Sequence, residues 1–213
     1  MTLLEKVENA KKLIAEYAEK YPKSAVAVSF GKDSTVVLHL AKQVKPDIKA
    51  FAVLSDTEFP EILQLRDRIV KEWSLNYAEY QYKNDPAKGL EDCCKSGKLE
   101  AIKKAVQELD CWFSGVRRDE GITRTDMPFV EEKDGLVKVN PILDFTEKDI
   151  WHYIGANAIP VVVQYAQGYR SLSCSKCSAP EEDENEPERA GRWKGTKSQG
   201  GECGINVESL KKL

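Results

Sequence analysis

Five of the six cysteines in this 213-residue chain fall into a pattern that suits chemistry better than packing. Cys93-Cys94 and Cys174-Ser175-Lys176-Cys177 form two close pairs, and Cys203 stands by itself in the run Glu202-Cys203-Gly204-Ile205. Two pairs of thiolates can supply four ligands to one centre, and a four-cysteine set without histidine suits zinc or an iron–sulfur cluster. Adjacent cysteines are awkward for tetrahedral zinc, whose paired ligands usually have roughly two to four residues between them, so the pattern favours a cluster. A lone thiol set apart from such a centre suits a nucleophile, provided that it ionises. The sixth, Cys111, lies in a strand-like run and reads as core. The two histidines, His39 and His152, both sit in apolar helical runs and read as packed side chains rather than ligands.

A second constellation is the run Ser29-Phe30-Gly31-Lys32-Asp33-Ser34. A strand, a glycine turn and a helix in that order form a physical arrangement for binding anions. Backbone N–H groups and the helix N-terminus face the ligand, the glycine permits close approach, and Lys32 adds a point charge. The spacing of a Walker A loop is absent. Basic residues gather at Arg117-Arg118, Arg124, Arg170 and between Arg189 and Lys197. An arginine pair just past a strand is well placed for a phosphate. Asp56, after the second strand, is placed to contact ribose or metal, or to cap the strand end.

The elements that must hold these residues read as alternating strands and helices. Apolar residues at helical spacing predict a helix over 3–20, and others over 35–43, 58–73 and 99–109. Short apolar runs predict strands over 25–29, 48–54, 76–80 and 111–116, and residues 130–139 around Asp134-Gly135 read as a hairpin. Thr146-Glu147-Lys148-Asp149 fits a capping box opening a last helix through 156. The expected fold is therefore α/β: a doubly wound, mostly parallel sheet with helices on both faces, whose ligands bind beyond the carboxyl ends of the strands. Residues 1–180 are expected to form the nucleotide-binding domain with its metal centre. Residues 181–213 are expected to form a solvated acidic loop, Glu181 to Glu188, and a flexible C-terminal tail rich in glycine, lysine and serine.

The chain is 41% hydrophobic and 31% charged, a normal soluble composition. Its net charge of −3 implies no general affinity for nucleic acid. The apolar stretches are too short to span a bilayer, and the first residues lack a signal-peptide pattern. A cytoplasmic protein is expected, in which thiols stay reduced and six cysteines point to metal or redox catalysis.

The nucleotide loop resembles the pyrophosphate-binding SGGKDS loop of the ATP pyrophosphatase superfamily, with Phe30 in place of the first glycine. A longer series of motifs is more specific. Cys93-Cys94-Lys95-Ser96-Gly97-Lys98, Gly115-Val116-Arg117-Arg118-Asp119, Tyr169-Arg170-Ser171-Leu172 with Cys174 and Cys177, Glu188-Arg189-Ala190-Gly191-Arg192-Trp193, and Glu202-Cys203-Gly204 follow one another in that order. The order resembles the assimilatory adenosine 5′-phosphosulfate (APS) reductases and 3′-phospho-APS reductases, over residues of about 25 to 206. The resemblance implies an adenine nucleotide alpha-hydrolase-like fold and a 4Fe–4S cluster on Cys93, Cys94, Cys174 and Cys177. It places Lys98 near cluster and substrate, and Arg189 and Arg192 on the phosphosulfate. It makes Cys203 the nucleophile that takes the sulfonate before thioredoxin, glutaredoxin or a similar dithiol releases sulfite. Ser29, Phe30, Gly31, Lys32, Asp33, Ser34, Asp56, Arg117 and Arg118 complete the expected substrate site, and a homo-oligomer is expected.

Three departures bear on this reading. The loop keeps Lys32-Asp33-Ser34 as ATP-splitting members do, Asn206 stands where the family usually has histidine, and Gly200-Gly201 precede the tail motif. The alternative is therefore an ATP pyrophosphatase or adenylyltransferase of sulfur metabolism, for which Cys203 would be dispensable. A non-enzymatic redox-sensing protein would leave the nucleotide loop unexplained.

Overall fold

The computed structural model describes residues 1–85, 87–89, 92, 95–181, 183 and 185–201. Cys93, Cys94 and the tail with Cys203 lie outside the described residues. Among the described residues five α-helices and six strands follow in the order α1 (Leu3–Lys20), β1 (Ser24–Ala27), α2 (Lys32–Val44), β2 (Lys49–Ser55), α3 (Pro60–Glu72), β3 (Asn76–Tyr82), α4 (Lys95–Val106), β4 (Cys111–Phe113), β5 (Val130–Lys133), β6 (Leu136–Val139) and α5 (Glu147–Ala156). They form one six-stranded sheet of order β3-β2-β1-β4-β6-β5. Every pairing is parallel except β5 with β6.

The strand sequences explain the layering. Along β1, Val26 points to one face and Ala25 to the other, as the two-residue period of a strand requires. The first face is covered by α1, α2, α3 and α5, through side chains such as Ile14, Leu38, Ile69 and Ile150. The second is covered by α4, whose Ile102, Ala105 and Val106 meet Phe51 and Trp112. Thr2 and Thr146 each close a capping box, on Glu5 and Asp149, that fixes the start of α1 and α5. The β5–β6 turn needs positive φ at two consecutive residues, and Asp134 (φ 55°) and Gly135 (φ 74°) supply it.

The order of strands reverses direction between β1 and β4, which makes their carboxyl ends the topological switch point. There α2 begins earlier than its apolar pattern predicts, at Lys32 with Gly31 as N-cap, and β4 stops at Phe113. Gly115, just past β4, lies against the first turn of α2. A side-chain carbon added there would stand 2.7 Å from Ser34 N and 2.9 Å from Asp33 C, and both of those atoms are backbone. Gly115→Ala is expected to push β4 and α2 apart at a cost of about 1–3 kcal/mol, the usual range for overpacking. Thermal unfolding of the purified variant, compared with that of the wild-type chain, checks this.

Candidate functional site

A cavity of about 230 Å³ opens at the switch point. Its walls come from the carboxyl ends of β1, β2 and β4, the first turn of α2, Lys98 of α4 and the segment carrying Arg189 and Arg192. Ser29, Gly31, Asp33 and Ser34 line it, as their motif predicts. The loop is braced internally: Ser29 N–H donates to Ser34 Oγ at 3.1 Å, and Thr35 Oγ1 donates to the Gly31 carbonyl at 2.9 Å.

The charges around the loop are arranged differently from the expectation. Lys32 is 1% exposed and points away from the cavity. Its ammonium donates to Glu188, to the Arg170 carbonyl at 2.7 Å, and stands 3.4 Å from Asp33. Arg117 is fully buried, with Nε on Asp33 at 2.7 Å and Nη2 on both Glu188 oxygens at 2.6 Å. Glu120 accepts from Arg117 N–H and from Arg124. The neighbouring carboxylates raise the Lys32 and Arg117 pKa values against burial, and these two cations hold Asp33 below the usual carboxylate range. Burial pushes the Glu188 carboxyl up to about 7, with the Lys32 ammonium and the bidentate contact with Arg117 opposing the shift. Asp33, Glu120 and Glu188 also lie close enough together to hold a cation. Lys32, Arg117 and Arg124 already neutralise all three.

The expectation that Lys32 and Arg117 present their charge to a phosphate therefore does not match their placement: both are spent on Glu188 and Asp33. Arg118 donates to the Met127 carbonyl and lies over the Phe129 ring. Phe30, at φ 60°, points into the core. Asp56 is exposed and accepts from Asn84 N–H and side-chain amide, so it joins the ends of β2 and β3. The acidic run is not a solvated loop at either end. Glu188 is buried, and the Glu181 carboxylate receives Arg170 at 3.0 Å. Residues 195–201 form turns rather than a loose linker, with Gly200 N–H on the Arg192 carbonyl at 2.9 Å.

Among the described residues four cations line the cavity: Arg124, which is paired with Glu120, and Lys98, Arg189 and Arg192. Arg189 donates to the carbonyls of Gly200 and Gly201. Arg192 is 4% exposed, yet its Nε has no hydrogen-bond partner among the described residues. A buried donor left in that state costs about 1–3 kcal/mol unless a ligand satisfies it. Gly191 sets the placement of this arginine. The chain crosses it so closely that an added side-chain carbon would stand 2.1 Å from the Ala179 carbonyl oxygen, and Ser178 pairs with Arg192 across the same contact.

Cys174 and Cys177 lie behind Arg192, buried with Tyr82, Ala101 of α4 and Trp193. Their segment is pinned to the end of β2, since Ser175 N–H and Oγ both donate to the Thr57 carbonyl at 2.9 and 2.8 Å. Trp193 Nε1 is buried in the same group, again with no partner among the described residues. Two buried thiols, an unpartnered N–H donor and a helix that follows directly on Cys93-Cys94 fit a sulfur-rich cluster. Cys111 lies elsewhere, in the core. His39 contacts the Tyr153 hydroxyl at 2.9 Å, as a packed side chain.

The cavity residues that sequence reasoning missed include Glu58, Glu120 and Tyr165. Tyr165 closes over the nucleotide loop from the 3-10 turn at Val163–Gln167, and burial raises its phenol so that it stays neutral. Glu58 follows β2 and accepts from Ser55 N–H at 3.2 Å.

Fold and site together define an α/β nucleotide-binding protein with a cationic pocket at the switch point and a buried thiol pair beside it. Residues 23–180 match the phosphoadenosine phosphosulfate reductase domain, and the chain belongs to that family. It is 31% identical to an adenosine 5′-phosphosulfate reductase of Neisseria meningitidis, over 96% of this chain and 91% of the relative. It is 33% identical to a Staphylococcus haemolyticus protein of the same name, over 84% and 79%. In fold it is similar to the phosphoadenylyl-sulfate reductase of Candida auris (TM-score 0.65, 18% identity, 78% of this chain and 88% of that one). It is equally similar to the FMN adenylyltransferase of Candida glabrata (TM-score 0.67, 17% identity, 86% and 69%).

Burial pushes the Glu58 carboxyl up to about 6, with Ser55 N–H and Lys98 opposing the shift. A carboxyl raised on folding contributes stability below its ordinary value near 4.5, and that contribution is lost as the pH rises through about 6. Glu58→Gln is therefore expected to stabilise the fold at pH 8 by up to about 2 kcal/mol and to leave it unchanged at pH 4. Denaturant titrations at the two pH values check this.

Proposed function

We propose that this chain reduces APS to sulfite and AMP through a sulfonated Cys203. The observation that carries the reading is Arg192. Its buried donor lines the cavity without a partner among the described residues, between the nucleotide loop and the Cys174–Cys177 pair. APS presents two adjoining anionic groups, and fixed guanidinium groups suit them. Ser29, Gly31, Asp33 and Ser34 would face the nucleotide, and Arg189, Arg192 and Lys98 the phosphosulfate.

In the proposed first half-reaction the Cys203 thiolate attacks the sulfate sulfur. The new S–S bond forms as the bond from that sulfur to the bridging oxygen breaks, and the electron pair leaves on the AMP phosphate. Arg189, Arg192 and Lys98 would stabilise the charge that grows there. In the second, one thiol of a dithiol such as thioredoxin or glutaredoxin attacks Cys203 Sγ and expels sulfite. The second thiol closes the disulfide and frees Cys203. The dithiol supplies both electrons.

Cys174 and Cys177, with Cys93 and Cys94, would hold a 4Fe–4S cluster, which when bound supplies an electrostatic and redox environment beside the anion pocket. Trp193 Nε1 would give it a hydrogen bond, and Tyr82 and Ala101 would exclude water from it. The retained Lys32-Asp33-Ser34 run favours ATP chemistry in sequence, but Lys32 is bound to Glu188, and this weighs against that alternative.

Intact-protein mass after anaerobic mixing with APS and no reductant tests the reaction. A sulfonate-sized gain is expected in the wild-type chain, absent from Cys203→Ser and reversed by thioredoxin. An unmodified mass with APS demonstrably bound would sink the proposal. Cys174→Ser is expected to lose most of its bound iron, measured per chain after anaerobic purification; full iron content in that variant would remove Cys174 from the ligand set.

A further inference from the structure

The nucleotide loop has the sequence of a pyrophosphate cradle, yet two of its anion-binding groups, the Lys32 N–H and the Lys32 ammonium, are already taken. The Lys32 N–H, the first N–H of α2, donates to the Tyr165 hydroxyl at 2.8 Å. That hydroxyl lies so close over the loop that a side-chain carbon on Gly31 would stand 3.3 Å from it. The Lys32 ammonium stays 5.5 Å from the centre of the Tyr165 ring, bound to Glu188 and not among the residues that line the cavity. From the other direction Gly115 covers the backbone of Asp33 and Ser34.

We infer that Tyr165 is a specificity-determining residue: its hydroxyl occupies the position on the loop that a terminal phosphate oxygen of a triphosphate would take, so the pocket admits AMP and its phosphosulfate and rejects ATP and pyrophosphate. The physical grounds are those of selection by exclusion. An anion gains from a helix N-terminus only where N–H groups are open to it. A pyrophosphate entering this loop must displace the phenol, and Lys32 cannot turn to meet it without giving up its buried contacts with Glu188 and the Arg170 carbonyl. A competitor is rejected here by an occupied donor and a missing charge rather than by a better contact to the preferred ligand. The phosphosulfate is left to Arg189, Arg192 and Lys98, on the side of the cavity nearer the thiols. The inference rests on reading this cavity as an adenine-nucleotide pocket, and it does not need Cys203 to react.

Equilibrium dialysis with AMP, ATP and inorganic pyrophosphate tests it on the wild-type chain, Tyr165→Phe and Tyr165→Ala. Tyr165→Phe keeps the ring, and so the packing, while freeing the Lys32 N–H; Tyr165→Ala also opens the space. The wild-type chain is expected to bind ATP and pyrophosphate at least about tenfold more weakly than AMP. The gap is expected to narrow by about fivefold in Tyr165→Phe, the worth of one hydrogen bond, and further in Tyr165→Ala. Wild-type affinity for ATP equal to that for AMP would overturn the inference, as would a gap unmoved in both folded variants. A wild-type chain that binds none of the three overturns the nucleotide-pocket reading itself.

Discussion

The ion cluster of Lys32, Asp33, Arg117 and Glu188 is the constraint on which this structure turns. Its members come from three places in the sequence, and the Lys32–Glu188 and Arg117–Glu188 contacts span 156 and 71 residues. Removing one partner from such a buried cluster leaves an uncompensated charge, which typically costs about 3–5 kcal/mol. The cluster therefore makes the first turn of α2, the end of β4 and the segment 188–193 one unit. That unit decides which cations face the cavity. Lys32 and Arg117 are internal, and Arg189 and Arg192, carried by the same segment as Glu188, are left to meet the ligand.

Much of the fold is legible in the sequence because its signals are local. Parallel strands covered on both faces read as short apolar runs, and the Asp134-Gly135 turn and the Thr146 capping box announce themselves by residue type. The thiol pair and the arginines of Glu188-Arg189-Ala190-Gly191-Arg192-Trp193 are legible as motifs. Glu188 itself is not. It ends a run of acidic residues whose composition says solvent, and only the fold brings Lys32 and Arg117 to it. Lys32 misleads for the same reason: beside a glycine turn it reads as a phosphate ligand, but an ammonium follows the nearest buried carboxylate. Tyr165 and Glu58 carry no local signal, since an aromatic in a polar turn and a carboxylate after a strand are common everywhere.

Family and fold neighbours make the same distinction at a larger scale. The fold is shared with solved proteins whose names state different chemistry, so the fold limits where a ligand lies without fixing what is done to it.

Cys111 shows how a chain can keep a spare thiol close to sulfur chemistry. It is fully buried on β4, and burial pushes its thiol up to about 12. A thiol that does not ionise neither attacks a sulfonate nor exchanges with a disulfide. A residue that would be a competitor at the surface therefore serves in the sheet as a small apolar filler.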